Sequence, residues 1–361
     1  MGNPCMFWKN NNFLMPNLDD VLNQAHTLKL HPRDRVVILS DVHLGNGGKM
    51  DDFRTNADLF EEILKSFYFP LDYKLILNGD IEELHKFRLS DIEKSWPQIF
   101  ELFEQFSLDN RLLKIIGNHD YNLVNHEDYR FRHLLFPALK LRFQDNILAI
   151  FHGHQASHFL EKYNGLAHYL LRYIFKPLRI KNISTAYDSQ KQYKVERRIY
   201  EFSNKRKIVS IIGHTHRPLF QSFSKVDSLK FQINEQFKKY SKADKSKKKK
   251  IEKKIKNLKT ELEHCFKKRR WKNLRSSLYN EAITIPSLFN SGCAIGKRGI
   301  TAVEIVNAKI YLVHWFDAKK SQKYFKKKKH QLEKINGTSF YRTILKKEYL
   351  DTVFTRIRLL T

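Results

Sequence analysis

The sequence is poor in cysteine and has no long apolar run. Its three cysteines, Cys5, Cys265 and Cys293, lie far apart and form no C-x-x-C pair. This spacing excludes a disulfide framework and a thiolate zinc site, and it agrees with a reducing compartment. No segment offers the roughly 18 uninterrupted apolar residues that a membrane-spanning helix needs, and the first residues lack the apolar stretch of a secretion signal. We therefore expect a cytoplasmic protein.

Acidic residues are scarce, with 38 Asp and Glu against 66 Lys and Arg and a net charge of +28. The excess is concentrated, because residues 221–280 carry +14 and residues 318–361 carry +10, which leaves +4 for the rest of the chain. Most of the chain thus has the near-balanced charge of an ordinary globular domain, which excludes a uniformly basic nucleic-acid coat. With 42% hydrophobic residues, the chain can build a sizeable core.

Five short apolar segments are each followed at once by small and polar residues. Continuous apolar runs of this length are typical of strands buried on both faces. Helical patterns between them, over 55–67 and 91–106, predict a layered α/β or αββα architecture. In such sheets the ligand crevice lies beyond the carboxyl ends of the strands, so we expect the five polar clusters to meet there. The predicted strands span 35–39, 74–77, 112–116, 147–151 and 208–212.

The polar clusters supply carboxylate and amide oxygens and imidazole nitrogens, which are ligands that suit Mn, Fe, Zn or Mg. One metal ion would be over-supplied by so many donors. Two ions about 3.5–4 Å apart that share a carboxylate would use the whole set. The number of donors therefore predicts a binuclear metal centre.

The clusters also form motifs in a fixed order. They are Asp41-Val42-His43, Gly79-Asp80, Gly117-Asn118-His119-Asp120, His152, and Gly213-His214-Thr215-His216. In this order they resemble the calcineurin-like metallophosphoesterases, whose pattern runs D-x-H, G-D, G-N-H-D/E, H and G-H-x-H. Five ordered matches after strands are far more specific than any single match. The resemblance covers residues 34–220, with returning strands after Glu281, and implies a four-layer αββα sandwich.

The resemblance implies two sets of metal ligands that share one bridging residue. The sets are Asp41, His43 and His216 on one ion, Asn118, His152 and His214 on the other, and Asp80 on both.

The resemblance also implies roles for the motif residues outside the two ligand sets. The family ligand in the fourth block is the histidine before glycine, which selects His152 and leaves His154 as a contact either to a ligand residue or to the substrate. His119, held by Asp120, resembles the catalytic histidine that stabilises developing charge or protonates the leaving oxygen. Arg217, adjacent to the last ligand, is the candidate contact to a substrate phosphate.

The expected chemistry follows from charge. The oxygens of a phosphate ester repel a nucleophile, so the site must neutralise that charge and supply hydroxide near neutral pH. Two cations that share a bridging hydroxide do both. We expect hydrolysis of a phosphodiester, phosphomonoester or pyrophosphate, with Mn favoured and Fe, Zn or Mg as alternatives. Two other interpretations stay open, a nuclease and a catalytically silent binding scaffold, although the intact ligand positions speak against the scaffold.

A helical cap is predicted over residues 155–206, and its first half, 159–175, is unusually apolar. This stripe either packs the cap onto the core or forms an apolar lid that accepts acyl chains. The cap and Asp41-Val42-His43-Leu44-Gly45 resemble the UDP-2,3-diacylglucosamine pyrophosphatase branch. That resemblance implies a lipid-linked nucleotide sugar as substrate and a peripheral position on the inner face of the cytoplasmic membrane. The fourth block departs from this branch, because it reads His152-Gly153-His154 where H-G-D is typical.

The basic segments lie outside the motifs. Apolar residues at helical spacing between Ser241 and Trp271 predict a lysine-rich helix, as a hairpin or a frayed arm. Three interpretations compete for this charge: a solvated surface, attraction to an anionic membrane surface, and contact with nucleic acid. The predicted domains are an N-terminal segment (1–33), a core (34–220 and 281–317), a lysine-rich helical insertion (221–280) and a basic C-terminal tail (318–361).

Overall fold

The computed structural model describes residues 17–157, 189–221, 245–272, 285–321 and 331–361, together with Leu229, Ile233, Gln236, Phe237, Tyr240 and Phe325. The chain divides into two compact units. The first comprises Met1–Phe220 and Pro286–Thr361, and the second comprises Gln221–Ile285.

The described strands of the first unit form two sheets. In chain order they are β1 (His26–Lys29), β2 (Arg35–Leu39), β3 (Lys74–Asn78), β4 (Leu112–Ile115), β5 (Leu135–Phe136), β6 (Leu139–Phe143), β7 (Asn146–Ile150), β8 (Val209–Ile212), β9 (Leu288–Asn290), β10 (Ile300–Val306), β11 (Lys309–Asp317), β12 (Leu332–Lys334) and β13 (Phe340–Tyr349). One sheet has the order β1-β6-β7-β8-β9, and the other has the order β12-β13-β11-β10-β2-β3-β4-β5.

Helices accompany these sheets. The α-helices of the described residues are α1 (Leu18–Gln24), α2 (Ala57–Ile63), α3 (Leu89–Ser95), α4 (Pro97–Leu108), α5 (Ser189–Arg206), α6 (Lys245–Lys272) and α7 (Leu350–Leu360). Apolar side chains of α2 and α4 share one buried cluster with β2, β3 and β4. None of the described helices combines the length and the apolar character that crossing a membrane requires.

The five predicted strands are β2, β3, β4, β7 and β8, and the structure places each end within one residue of the prediction. β2, β3 and β4 are parallel neighbours in the larger sheet. β7 and β8 are parallel in the smaller one. Because these strands run in parallel, the polar clusters that follow them emerge at the same edge of each sheet.

One predicted helix, 91–106, is divided into α3 and α4. Pro97 has no backbone N–H to donate, and it disfavours the helical conformation at the residue before it. Trp96 accordingly leaves the helical region, with φ −127° and ψ 46°. The helix predicted over 55–67 begins as a 3-10 turn at Phe53–Asn56 and ends as a π-helical turn at Leu64–Tyr68.

The segment predicted as a basic C-terminal tail belongs to the core, so that prediction is wrong. β13 pairs antiparallel with β11 from Lys309 opposite Tyr349 to Asp317 opposite Phe340. α7 follows directly and buries four apolar residues. The exposed Lys346 and Lys347 lie on β13 itself, and their charge conceals the strand pattern in the sequence.

The predicted N-terminal boundary is also misplaced, because β1 lies before residue 34 and still belongs to the smaller sheet. β1 pairs in parallel with β6, beginning with His26 opposite Leu139. The fold therefore starts earlier than the first motif suggests.

The second unit contains the lysine-rich helix α6. Leu229 and Ile233 share an apolar cluster with Leu258, and the Tyr240 hydroxyl donates to Glu252 Oε1 at 2.6 Å. The earlier residues of the part before α6, Leu229 and Ile233, thus lie near Leu258, whereas the later Tyr240 pairs with Glu252, which comes before Leu258 in α6. The two segments are therefore antiparallel, which agrees with the hairpin and not with the frayed arm.

Candidate metal centre

The motif loops after β2 and β3 are joined to each other through their backbones. The amide of Asp41 donates to the carbonyl of Gly79 at 3.0 Å, and the amide of His43 donates to the carbonyl of Asp80 at 3.0 Å. This pairing fixes the first two motifs in one orientation. The side chains of Asp41, His43 and Asp80 are buried together as a result.

Five of the candidate ligands have left-handed backbone conformations. Side-chain-bearing residues rarely adopt a positive φ, and each such residue costs of order 1–3 kcal/mol that the surrounding structure must offset. Strain of this kind clusters where loops are held in place for function. The φ values are 53° at Asp41, 52° at His43, 55° at Asp80, 64° at His214 and 53° at His216.

Two motif glycines permit close approach of the loops. A Cβ atom on Gly117 would overlap both the backbone nitrogen and the carboxylate of Asp80, and one on Gly213 would lie 2.5 Å from Asp41 Oδ2. Any side chain at these positions would displace a candidate ligand. The glycines are therefore required by the site and not only by the turns.

The first group of donors consists of Asp41, His43 and His216. His216 Nε2 lies 3.0 Å from Asp41 Oδ1, and the Nε2 atoms of His43 and His216 are 3.2 Å apart. One donor atom from each residue falls within 4.8 Å of the other two, so the group could hold a metal ion. The predicted members of the first ligand set are thus brought together.

The second group consists of Asp80, His152 and His214, whose donor atoms also lie within 4.8 Å of one another. His152 Nε2 is 3.1 Å from Asp80 Oδ2. The same Asp80 oxygen is 4.0 Å from His43 Nε2 in the first group. Burial raises the pKa of the Asp80 carboxyl, but His152 and His119 outweigh it and hold the pKa well below its usual range. An ionised carboxylate therefore lies between the two groups.

Asn118 supplies a direct test of whether a cation fits here. Its Oδ1 atom is shielded from solvent and accepts no hydrogen bond within the described part of the chain. A buried oxygen without a partner is unfavourable by about 1–3 kcal/mol, and native proteins rarely leave one unsatisfied. A divalent cation would satisfy it, so the residues present fit the ions that the motifs imply.

The geometry favours His152 over His154 as the candidate ligand. His152 Nδ1 donates to the carbonyl of Asn78 at 2.9 Å, which leaves Nε2 facing Asp80. His154 is in none of the possible metal-binding groups formed by the described residues. Burial lowers the pKa of His154 well below its usual range, so its imidazole is neutral.

The prediction that Asp120 holds His119 is wrong. Asp120 accepts hydrogen bonds from the backbone amides of Gly117 at 2.6 Å and Ile81 at 2.7 Å. Its carboxylate is turned toward the backbone, where it joins the second and third motif loops. Asp120 therefore shapes the site without contacting the imidazole of His119.

Glu83, which the sequence analysis missed, is the partner of His119. Its Oε1 lies 2.8 Å from His119 Nδ1, and its Oε2 lies 3.0 Å from His43 Nδ1. One buried carboxylate thus orients both a candidate ligand and the candidate catalytic histidine. Burial lowers the pKa of His119, but Asp80 and Glu83 outweigh it and raise the pKa to about 9. The only available sequence signal was an acidic residue three positions after Asp80.

Arg217 pairs with a buried carboxylate of the first unit. Its guanidinium forms an ion pair with the fully buried Glu196 of α5, and Glu196 Oε1 also accepts from Thr215 Oγ1 at 2.7 Å. Thr215 lies between His214 and His216. The observed role of Arg217 is therefore to help α5 hold the last motif, and its contact with a substrate phosphate stays a prediction.

The chain belongs to the calcineurin-like phosphoesterase family, whose model matches residues 34–244. This membership confirms the predicted family and αββα sandwich. The family uses divalent metals, which agrees with the two donor groups. No curated protein matches the sequence.

Three solved structures show limited similarity to the chain. A predicted phosphoesterase from Streptococcus pneumoniae TIGR4 is 12% identical with a TM-score of 0.29, covering 78% of this chain and 89% of its own. A Vps29 mutant from Entamoeba histolytica is 10% identical with a TM-score of 0.32, covering 80% and 94%. Vacuolar Protein Sorting 29 from Cryptosporidium parvum is 10% identical with a TM-score of 0.30, covering 78% and 91%. At these TM-scores the likeness supports no conclusion about function.

Proposed function

We propose that this protein is a binuclear metal-dependent phosphoesterase that hydrolyses a phosphodiester, phosphomonoester or pyrophosphate bond. The observation that supports this most is the Asp80 carboxylate, which lies 3.1 Å from His152 Nε2 and 4.0 Å from His43 Nε2. The buried Oδ1 of Asn118, which has no hydrogen-bond partner among the described residues, adds to it. The ions would be held by Asp41, His43 and His216, by Asn118, His152 and His214, and by Asp80 between them.

The metal ions and the protein side chains would each carry out part of the hydrolysis. When bound, the two ions would supply a water of lowered pKa and neutralise charge on the phosphate oxygens. His119 would protonate the leaving oxygen, because its raised pKa keeps it charged at neutral pH. Glu83 occupies Nδ1, so Nε2 is the nitrogen left to face the substrate. Gly117 and Asp120 keep this loop in place.

Metal removal tests the proposal. Dialysis against a chelator should abolish hydrolysis, and reloading with Mn²⁺, the ion we favour, should restore it with two equivalents bound per chain. The substrate panel should contain a chromogenic diester, a monoester, a pyrophosphate, a UDP-linked diacyl sugar, nucleic acid and a phosphoprotein. A protein that binds two Mn²⁺ and leaves the whole panel intact would contradict the proposal and favour a scaffold.

The described residues do not select one phosphate ester as the substrate. The apolar cap stripe predicted over 159–175, on which the lipid-linked nucleotide sugar depends, lies outside them. Preference for the diacyl sugar over the same nucleotide sugar without acyl chains would support that substrate. Cleavage of nucleic acid above all other substrates would support the nuclease.

We also propose that the second unit attracts the protein to an anionic membrane surface. The α6 lysines with described side chains project into solvent almost without exception, and three glutamates offset them only in part. Each lysine near such a surface contributes about 1 kcal/mol. The exposed lysines are Lys247, Lys249, Lys250, Lys253, Lys254, Lys256 and Lys259.

Sedimentation with lipid vesicles tests this attraction. The protein should sediment with vesicles that contain anionic lipid and remain in solution with neutral ones. Replacing Lys249 and Lys253 by glutamate should weaken binding more than tenfold, because four units of charge change near the surface. The same change at the exposed Lys65 and Lys205 of the first unit is the matched control. Equal binding to neutral vesicles would refute the attraction.

A further inference from the structure

The described residues contain two more groups of possible metal donors, and His119 belongs to both. One joins it to His43 and Asp80 of the central site, and the other lies at the edge of the site. Glu83, His85 and His119 place a carboxylate oxygen and two imidazole nitrogens within 4.8 Å of one another. The rings of His85 and His119 are 4.3 Å apart between centroids and inclined by 35°. His85 is exposed and has no role in the proposed reaction. Within the described part of the chain its imidazole nitrogens make no hydrogen bond, so they are available at the edge of the site.

The donor types in this group differ from those of the central site. Two histidines and one carboxylate form a set that binds zinc tetrahedrally and leaves a fourth position for water. Zinc bonds of about 2.0–2.2 Å place ligand atoms about 3.4 Å apart. Glu83 Oε1 and His119 Nδ1 are already 2.8 Å apart. The donor atom of His85 lies within 4.8 Å of the other two, and its exposed side chain can move closer to complete the set.

We propose that Glu83, His85 and His119 form a third cation site that binds Zn²⁺ and inhibits the enzyme, an inference that rests on the proposed function. Zinc would take the lone pair of His119 Nδ1, whose proton passes to solvent. The hydrogen bond to Glu83 is then replaced by two bonds to the metal. The proton on Nε2 of His119 stays, but giving it to the leaving oxygen would now leave a zinc-bound imidazolate instead of a neutral imidazole. His119 therefore becomes a much weaker proton donor, and turnover falls.

The surroundings make this site weaker than the central pair. The ammonium of Lys86 lies 3.9 Å from Glu83 Oε2 and opposes a second cation there. Glu83 Oε2 also stays hydrogen-bonded to His43. We therefore expect zinc to fill this site only after the two central ions are bound, so inhibition appears at excess metal.

Zinc stoichiometry on the Mn²⁺-loaded protein tests the proposal. Equilibrium dialysis with metal analysis should show one additional Zn²⁺ per chain while both Mn²⁺ are retained. The variant His85→Ala should lose this additional zinc and keep both Mn²⁺. At a low, buffered zinc concentration, the rate of hydrolysis by this variant should stay within twofold of the parent rate. The zinc concentration that halves this rate should rise at least tenfold. The exposed His126, replaced by alanine, is the matched control and should change neither value.

A rescue variant separates zinc binding from a general disturbance. His85→Cys supplies a thiolate in place of the imidazole and should restore the third zinc. If His85→Ala binds the third zinc like the parent, or if zinc inhibits only by releasing Mn²⁺, the proposal is overturned. If the protein hydrolyses none of the substrates, the proposed function fails, but the zinc stoichiometry still tests the third site. If the protein is active and binds no third zinc, the zinc site is refuted and the proposed function stands.

Discussion

Asp80→Asn should abolish hydrolysis, with a loss in kcat/KM of at least about 10³-fold, or roughly 4 kcal/mol of transition-state stabilisation. Asp80 is the residue that reaches both donor groups, at 3.1 Å from His152 Nε2 and 4.0 Å from His43 Nε2. Asparagine keeps the shape but removes the negative charge and replaces one oxygen by an N–H donor. We therefore expect a loss of metal as well as of activity.

The measurement is metal content per chain together with steady-state kinetics. The variant should retain at most one of the two ions under conditions in which the parent retains both. Asp145→Asn makes the same chemical change at an exposed position and should be neutral. Two tightly bound ions in Asp80→Asn would show that this carboxylate does not bridge them.

His119→Ala should separate catalysis from metal binding. We expect kcat to fall by about 10²–10⁴, the range for loss of a general acid, with both ions still bound. The reason is that His119 stands outside the two proposed ligand sets and pairs through Nδ1 with Glu83. The imidazole is partly exposed, with 22% of its side chain accessible, so a substrate can reach it.

Leaving-group dependence sharpens this test. If His119 protonates the leaving oxygen, His119→Ala should lose much more activity on an alkyl ester than on a nitrophenyl ester, whose leaving group needs no proton. Equal losses on both esters would point to charge stabilisation alone. Loss of a metal ion from the variant would show that His119 is a ligand and that its proposed role is wrong.

The sequence predicted the residues of the site better than their partners. Asp41, Asp80 and His152 could be predicted because each comes two residues after the end of a buried strand. Two of these strands, β2 and β3, lie in the larger sheet, and β7 lies in the smaller one. Glu83 could not, because its role depends on His43 and His119, which are 40 and 36 residues away. Spacing along the chain carries no information on which imidazole nitrogen faces a carboxylate.

Proximity in sequence was misleading in two other places. Asp120 is adjacent to His119, yet its carboxylate binds the amides of Gly117 and Ile81. The lysines of β13 indicated a solvated tail, although the strand that carries them pairs with β11. In both cases the outcome depends on backbone hydrogen bonds, those that Asp120 accepts and those that pair β13 with β11. Neither the composition nor the charge of the sequence reveals these hydrogen bonds.

Electron paramagnetic resonance of the Mn²⁺-loaded protein tests the two-ion centre most directly. Two Mn²⁺ ions about 3.5–4 Å apart that share the Asp80 carboxylate would be magnetically coupled. We predict that the second equivalent of Mn²⁺ converts the six-line signal of an isolated ion into a broad coupled spectrum. A six-line signal that simply saturates at one Mn²⁺ per chain, with hydrolysis already at its maximum, would contradict a binuclear centre.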